Sequence, residues 1–219
     1  MRRVDAIDRL SRDNYPRHRP KKMNMKRIFD LTLSLVAIFV FSIPFFVLVL
    51  IARFKLGSPT FFRQKRAGRN GKLFDLIKLR TMVDLRDSDG QFLPDSERVT
   101  PFGHFLRRWS LDEWPELWNV IKGDMSLVGP RPLLPRYLGR YSPRQMRRHE
   151  VRPGITGWAQ VRGRNAVSWE DRFEFDVWYV ENRNLWLDIK ILLMTIFAVL
   201  NRKGVSAQGH VTMPEFMGK

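Results

Sequence analysis

The sequence predicts an α+β protein that is mainly helical, with an N-terminal re-entrant membrane helix hairpin, a small β-hairpin and interfacial amphipathic helices. Three observations predict this fold class. A run of 22 residues, from Leu31 to Ala52, carries no charge. Two short apolar runs follow it and are separated by a glycine-containing turn. The second half of the chain has apolar residues at a density that is typical of packed helices.

The uncharged run could cross a membrane, because as one helix it would reach about 33 Å. However, basic residues lie at both of its ends: Lys26 and Arg27 precede it, and Arg53 and Lys55 follow it. Lys and Arg collect at the cytoplasmic ends of membrane segments, so both ends are expected on one side. This pattern favours a re-entrant hairpin and leaves one ordinary transmembrane helix open as the alternative.

A bend is predicted at Ser42-Ile43-Pro44, in the middle of the uncharged run. Pro44 removes a backbone donor and bends a helix. The hydroxyl of Ser42 can bond back to a carbonyl of the preceding turn, which also favours a bend. Each arm of the hairpin would then reach about half way across the hydrocarbon core.

The composition divides the chain into three predicted parts: a mobile basic arm over residues 1–25, the re-entrant helix over 26–55 and a cytosol-facing, membrane-associated domain over 56–219. The 39 Lys and Arg outnumber the 22 Asp and Glu, which gives a net charge of +17. This excess predicts an anionic partner: nucleic acid, lipid head groups or phosphorylated substrates. The chain has no cysteine, which excludes disulfides, thiolate nucleophiles and Cys-ligated metals.

After the uncharged run, two short strands are predicted over Thr60–Phe62 and Leu73–Ile77, with a turn over Gly68–Gly71. The polar residues 84–95 predict an exposed loop, and helices resume near Pro101. The two apolar strands and their turn therefore predict a β-hairpin.

A late helix is predicted from Leu185 to Leu200, where Asp188, Lys190 and Thr195 are the polar residues. This is too apolar for a simple half-buried surface helix. The helix is expected either in the core or in the head-group layer of a membrane, with Trp186 as its anchor. The sequence leaves these two alternatives open.

A helix with a capping box is predicted from Ser110 to Val120, because Glu113 lies three residues after Ser110. In the simplest interpretation, Asp112 and Glu113 only complement the dipole of that helix. Arg107 lies shortly before this acidic pair, and Arg131 follows between two prolines. An acidic pair among arginines also fits phosphate chemistry, so both interpretations stand.

The chemistry of these side chains makes phosphoryl transfer possible. A carboxylate can attack phosphorus and form an acyl phosphate, which divides one difficult displacement into two. A neighbouring carboxylate can bind Mg²⁺, which prefers oxygen ligands. Arginines bind phosphate oxygens and neutralise charge in the transition state. Because neighbouring helical residues point about 100° apart, Asp112 and Glu113 are expected to have different roles.

Five blocks together resemble the bacterial monotopic phosphoglycosyl transferases, in particular their small members. The blocks are Lys26–Asp30, Lys78–Met82, Arg107–Glu113, Gly123–Pro132 and Arg152–Gln160. The resemblance implies a cytosolic active site and an enzyme that moves a sugar 1-phosphate from a UDP-sugar to undecaprenyl phosphate and releases UMP. It also implies a position at the cytoplasmic face of the bacterial inner membrane, on anionic membrane lipids.

The resemblance also implies roles for individual residues. Asp112 is the nucleophile that forms a phosphosugar–enzyme intermediate, and Glu113 is catalytic and helps to bind Mg²⁺. Phosphate groups are bound by Arg80, Arg107 and Arg131. Lipid head groups are contacted by Lys26 and Arg27, and the bend of the helix lies at Ser42 and Pro44. The family usually has proline directly after the serine, whereas Ile43 intervenes here. Asp176 fits a family block, with a structural hydrogen bond at least as well supported as a catalytic role.

A protein of a different class is the alternative: a non-enzymatic basic membrane adaptor that binds anionic lipid or nucleic acid through charge alone. The favoured interpretation expects no nucleic acid as a partner. The two differ at Asp112, which an adaptor does not need. The sequence does not identify the sugar, the downstream glycan or the oligomeric state.

Overall fold

The structure is a computed structural model that describes residues 25–163, 167–201 and 215–218. Residues 1–24 of the predicted basic arm lie outside the described residues. The described chain is mainly helical, as the sequence predicts, and contains two small sheets, of which the sequence predicts the first. The helices are α1 (Met25–Leu56), α2 (Asp95–Arg98), α3 (Pro101–Arg108), α4 (Glu116–Lys122), α5 (Pro143–Met146), α6 (Trp158–Gly163), α7 (Trp169–Asn182) and α8 (Leu185–Leu200). The strands are β1 (Phe61–Ala67), β2 (Leu73–Leu79), β3 (Ser126–Val128) and β4 (Gly154–Thr156).

Helix α1 is one 32-residue helix that continues through Pro44. Ser42 donates its hydroxyl hydrogen to the carbonyl oxygen of Phe39 at 2.9 Å, which is the back-bond that the sequence predicts. By its length and composition, α1 is the one helix among the described residues that could cross a membrane. The bilayer is absent from the structure, so the re-entrant path of α1 stays a prediction.

Polar contacts attach the first turns of α1 to the rest of the protein. Lys26 Nζ lies 2.7 Å from Asp188 Oδ2, and Arg27 donates to the carbonyl oxygens of Val120 and Ile121 at the end of α4. Arg27 therefore satisfies backbone acceptors that the helix terminus leaves open. Asp30 is buried and accepts a 2.8 Å hydrogen bond from Ser126 Oγ. These contacts fix the membrane helix to three elements of the domain.

The predicted β-hairpin is confirmed. Strands β1 and β2 pair antiparallel, with Phe61 opposite Leu79 and Ala67 opposite Leu73. Each strand is longer than the pattern of apolar residues indicates. The predicted loop over residues 84–95 is also confirmed as mainly exposed, with α3 beginning at Pro101.

Strands β3 and β4 form a second, parallel pair. Their backbones approach closely at Gly154, where an added Cβ would lie 2.1 Å from the backbone nitrogen of Gly129. Gly154 lies in strand β4, and the close contact explains the glycine. The parallel pair lies at the centre of the main core, whose fully or nearly buried members include Val120, Met125, Val128, Tyr179 and Ile191.

Helix α8 has both features that the sequence left as alternatives. Leu187, Asp188 and Ile191 are buried in the protein. The opposite face is apolar and exposed, with Trp186 77% exposed and Phe197 63% exposed. One face of α8 is therefore core, and the other is an apolar surface of the kind that an interfacial helix presents.

The C-terminal residues close a second, smaller core. Phe216 is buried among the aromatic rings of Tyr137, Tyr141, Trp169 and Phe173, with centroid distances of 4.9–5.9 Å. Glu215 lies next to it and pairs with Arg136 and Arg140 at 3.0 and 2.9 Å. This cluster supports the segment that follows Arg131, so it supports one wall of the candidate site.

Candidate active site

The acidic pair lies in a tight turn and not inside a helix. Ser110 has a left-handed backbone, with φ of 53°, and makes no side-chain cap. A short 3₁₀ turn over Leu111–Glu113 follows, and α4 begins only at Glu116. The predicted capping box is therefore wrong, because the left-handed conformation at Ser110 reverses the chain where a cap needs extended backbone. Strain of this kind costs about 1–3 kcal/mol and is typical of functional sites.

Asp112 is almost buried, with 8% of its surface exposed. Burial and the neighbouring Glu113 raise the pKa of its carboxyl group, while Lys78, Arg131 and Arg107 act in the opposite direction. Desolvation makes the carboxylate more basic, and the three cations stabilise its charged form. The turn therefore holds an activated carboxylate that faces positive charge.

Two cations bind one oxygen of Glu113. Lys78 Nζ lies 2.6 Å from Oε1, and Arg131 Nη2 lies 2.8 Å from the same atom. Burial alone would raise the pKa of Glu113, but Arg131 and Lys78 hold it well below its usual value. Glu113 is therefore ionised at neutral pH, and it ties strand β2 to the loop that carries Arg131.

Glu116 is a third carboxylate of the site. It is 3% exposed, and its Oε1 lies 3.1 Å from Lys78 Nζ. Burial and the negative charge of Glu113 raise the pKa of Glu116 to about 7. Lys78 thus bridges two carboxylates, of which one stays ionised and the other can take up a proton near neutral pH.

The predicted phosphate-binding arginines divide into two groups. Arg131 contacts Glu113 directly, and Arg107 is fixed by a 3.0 Å hydrogen bond from its Nε to Thr81 Oγ1. Arg80 instead donates to the carbonyl oxygens of Met82 and Ser58, and it pairs with Asp84 at 3.1 Å. Among the described residues, Arg80 makes no contact with the acidic pair, so its role in phosphate binding stays a prediction.

The backbone of Arg131 is held in place by Arg148. Arg148 donates from Nη2 to the carbonyl oxygen of Arg131 at 2.7 Å and to Asp176 Oδ2, also at 2.7 Å. The side chains of Arg148 and Asp176 are 1% and 3% exposed. Arg148 is therefore an interior residue. Asp176 has the structural role that the sequence left open.

The donor atoms fit a magnesium ion that takes few ligands from the protein. The described residues contain no group of three or more His, Cys, Asp or Glu that could hold a metal ion. Glu113 uses Oε1 for its two cations, and its Oε2 makes no hydrogen bond within the described part of the chain. Mg²⁺ often binds one or two carboxylates and completes its shell with water and substrate phosphates. Binding of Mg²⁺ by Glu113 stays a prediction that this arrangement permits.

The predicted bend of α1 lies near the site through aromatic contacts. The ring of Trp114, which follows the acidic pair, lies 4.8 Å from Phe41 and 6.2 Å from Phe45. Ser42 and Pro44 themselves lie between these two rings in the sequence. Lys26 and Arg27 are about three to five turns away on the same helix and are engaged with protein groups. Their predicted contact with lipid head groups stays a prediction.

Sequence reasoning missed Lys78 and Glu116 as members of the site. Lys78 is a cation near the end of strand β2, where Asp75 is the other charged residue. A charge that is largely buried needs a partner. That signal was available. Glu116 gave no comparable signal, because an acidic residue in the first turn of a helix is common on electrostatic grounds alone.

Comparison of the sequence with known proteins identifies the family. The profile of the bacterial sugar transferase family matches residues 21–202. The chain belongs to this family. Family membership makes the protein an enzyme of the transferase class and confirms the resemblance seen in the sequence.

Three relatives show the range of the family. The chain is 53% identical to the sugar transferase EpsL of Bacillus subtilis (strain 168), over 90% of the chain and 97% of that protein. It is 40% identical to the undecaprenyl-phosphate galactose phosphotransferase of Salmonella typhimurium (strain LT2), over 82% of the chain and 41% of that protein. It is 42% identical to the UDP-glucose:undecaprenyl-phosphate glucose-1-phosphate transferase of Xanthomonas campestris pv. campestris, over 67% of the chain and 32% of that protein. The chain therefore spans less than half the length of the last two relatives.

Proposed function

We propose that the protein transfers a sugar 1-phosphate from a UDP-sugar to undecaprenyl phosphate, with Asp112 as the covalent nucleophile. The observation that carries the proposal is the environment of Asp112: a buried carboxylate beside Lys78, Arg107 and Arg131. The names of the Salmonella and Xanthomonas relatives supply the class of donor and acceptor. The reaction takes place at the cytoplasmic face of the bacterial inner membrane, where basic residues and the exposed faces of α1 and α8 meet anionic lipids.

The reaction has two steps. An oxygen of Asp112 attacks the phosphorus that carries the sugar, and the bond to the bridging oxygen of the diphosphate breaks, so that UMP leaves. An oxygen of undecaprenyl phosphate then attacks the same phosphorus. The acyl phosphate bond breaks, Asp112 is regenerated and the product is an undecaprenyl diphosphate sugar. Each step is a displacement at one phosphorus atom, so the enzyme follows a ping-pong order.

The residues around Asp112 have distinct tasks in this mechanism. Arg131 and Arg107 neutralise charge on the phosphate oxygens. Glu113 keeps Arg131 and Lys78 in position and would hold Mg²⁺ through its free oxygen. When it is bound, the ion supplies further charge neutralisation at the phosphates. Trp114 and α1 form the apolar side of the site, where the lipid acceptor lies.

The test measures UMP release by the full chain in detergent with Mg²⁺, undecaprenyl phosphate and a panel of UDP-sugars that begins with UDP-galactose and UDP-glucose. We expect release with one or two sugars and loss of turnover in Asp112→Asn. Asp124→Asn is the matched control, because Asp124 is a half-buried acid near the end of α4 that pairs with Lys122. With the donor alone, wild type should form a stable sugar-phosphate adduct at Asp112. Full turnover by Asp112→Asn would exclude the covalent mechanism, and no turnover by folded wild type would favour the adaptor alternative.

A further inference from the structure

Cations outnumber their acidic partners next to Arg131. The carboxylates there each have a cation already: Glu113 binds Arg131 and Lys78, and Asp176 binds Arg148. Glu116 also contacts Lys78. Arg66 on β1 contacts the carbonyl oxygen of Pro132, the residue after Arg131. Arg172 on α7 lies one turn before Asp176, the partner of Arg148. Neither Arg66 nor Arg172 forms an ion pair within the described part of the chain.

Arg66 has unused hydrogen-bond donors. Its Nη2 donates to Gln64 Oε1 at 2.5 Å, and its Nη1 makes a long 3.5 Å contact with the carbonyl oxygen of Pro132. Its Nε is buried and has no hydrogen-bond partner among the described residues. A guanidinium has five N–H donors and a buried one is costly when it is unpaired. The contact with Pro132 places these donors beside the backbone of Arg131.

Arg172 is the second surplus cation. Its guanidinium carbon lies 5.4 Å from the centre of the Trp169 ring, which orients the side chain without neutralising it. Burial and the nearby Arg131 lower the pKa of Arg172, and the same two causes lower that of Arg66 to about 10. Arg131 therefore repels both side chains, and a bound anion would relieve the repulsion.

We propose that Arg66 and Arg172 form a second binding subsite for a substrate phosphate next to Arg131. The inference rests on the proposed function, because Asp112 attacks only one phosphorus and a UDP-sugar carries a second phosphate next to it. The phosphate of the lipid acceptor has the same chemistry and is the other source. Arginine suits either one, since its planar fork binds two phosphate oxygens at once.

The kinetic test compares Arg66→Gln and Arg172→Gln with matched controls. Arg63→Gln is the control on β1, since Arg63 is exposed on the same strand. Arg162→Gln is the control for Arg172, since Arg162 also lies over a tryptophan ring, at 4.6 Å from Trp158. We expect the KM of one substrate to rise about tenfold or more in the two test variants, with kcat changed less. A rise for the UDP-sugar assigns the subsite to the nucleotide, and a rise for undecaprenyl phosphate assigns it to the lipid.

A binding test separates this subsite from the proposed reaction. Calorimetric titration of the full chain with inorganic pyrophosphate needs no turnover, so it stays informative if no UDP-sugar is used. We expect Arg66→Gln and Arg172→Gln to bind pyrophosphate about tenfold more weakly or worse, with both controls near wild type. Arg66→Lys, which keeps the charge, should bind with intermediate affinity and guards against a folding defect. Unchanged pyrophosphate affinity in both variants, or no binding by wild type, would overturn the proposal.

Discussion

At the scale of single residues, the site is built from charges that are buried together. Lys78 is the clearest example, because its ammonium lies between Glu113 and Glu116 at 2.6 and 3.1 Å. Burial would lower the pKa of Lys78, but the carboxylates raise it, so the side chain stays charged. The position of Lys78 in β2 matters as much as its charge, because that position brings the ammonium to both carboxylates.

Replacing Lys78 by methionine should reduce kcat by roughly a hundredfold, because Glu113 loses a partner and the cations around Asp112 lose one member. Lys65→Met is the control, since Lys65 forms a similar ion pair with Asp75 on the exposed side of the hairpin. Steady-state UMP release measures both. If Lys78→Met keeps kcat within threefold of wild type, Lys78 has only a structural role.

His149 makes stability depend on pH. Its Nδ1 lies 2.9 Å from the carbonyl oxygen of Gly68, so Nδ1 carries the proton and donates it. Burial and the neighbouring Arg148 lower the pKa of His149 from 6.5 to about 3. Below pH 6.5 the imidazole of His149 is therefore protonated in the unfolded chain, whereas in the folded chain it stays neutral until about pH 3. The contribution of His149 to the free energy of unfolding is complete above pH 6.5 and is lost as the pH falls from 6.5 to about 3.

As the pH falls from 7 to 5, the titration of His149 should lower the free energy of unfolding of wild type by roughly 2 kcal/mol. His149→Gln removes the titration and keeps a donor for Gly68, so its melting temperature should fall less over the same range. His104→Gln is the control at an exposed histidine. Thermal melts of the three proteins in detergent provide the comparison. Parallel pH profiles for wild type and His149→Gln would contradict the assignment.

At the scale of elements, the buried pair of Arg148 and Asp176 joins α7 to the loop that carries Arg131. A buried ion pair adds little stability, but removing one partner is costly. Arg148 also donates to the backbone oxygen of Arg131, so the pair has a second task. Stability and catalysis can therefore be separated at this position.

Arg148→Met alone should destabilise the protein by about 3–5 kcal/mol, because Asp176 stays buried without a partner. The double variant Arg148→Met, Asp176→Leu should recover much of that loss in melting temperature. Its kcat should stay low, since the carbonyl oxygen of Arg131 has lost its donor. Wild-type kcat in the stable double variant would show that Arg148 does not position Arg131.

At the scale of the whole molecule, α1 is a long apolar helix that is attached to the domain and contacts the site. Its first turns bind α4, β3 and α8 through Lys26, Arg27 and Asp30, and its middle contacts Trp114. Most of its remaining surface is apolar and exposed, including Phe39 and Phe54, which are 83% and 86% exposed. One helix thus holds the domain and offers an apolar surface to lipid.

The re-entrant path predicts that both flanks of α1 face the cytoplasm. Since the chain has no cysteine, single cysteines at Met25 and Ser58 can be labelled without background. In intact spheroplasts, a membrane-impermeant thiol reagent should label neither, and in inverted vesicles it should label both. Ile43→Cys, at the predicted bend and 76% exposed in the protein, should resist the reagent in both preparations because it lies in lipid. Labelling of the two flanks from opposite sides would establish a spanning helix.

The sequence by itself determined the elements whose cause is local. The pattern of apolar residues and the positions of glycine and proline predicted α1, the β-hairpin, the exposed loop and α8. Each of these elements depends on neighbours within a few residues. The ordered motifs were sufficient for the family and for Asp112, Glu113 and Arg131 as a group. Local rules failed at Ser110, which has a left-handed backbone in place of the predicted cap.

Only the tertiary structure decided which charges meet. Lys78 reaches Glu113 across 35 residues of sequence, and Arg131 reaches it across 18. Arg148 is interior because it pairs with Asp176, on α7. Pairings of this kind depend on how strands, turns and helices pack against each other, and no local pattern records that packing. For the same reason, only the folded chain shows that Arg66 and Arg172 are cations near Arg131 with no ion pair among the described residues.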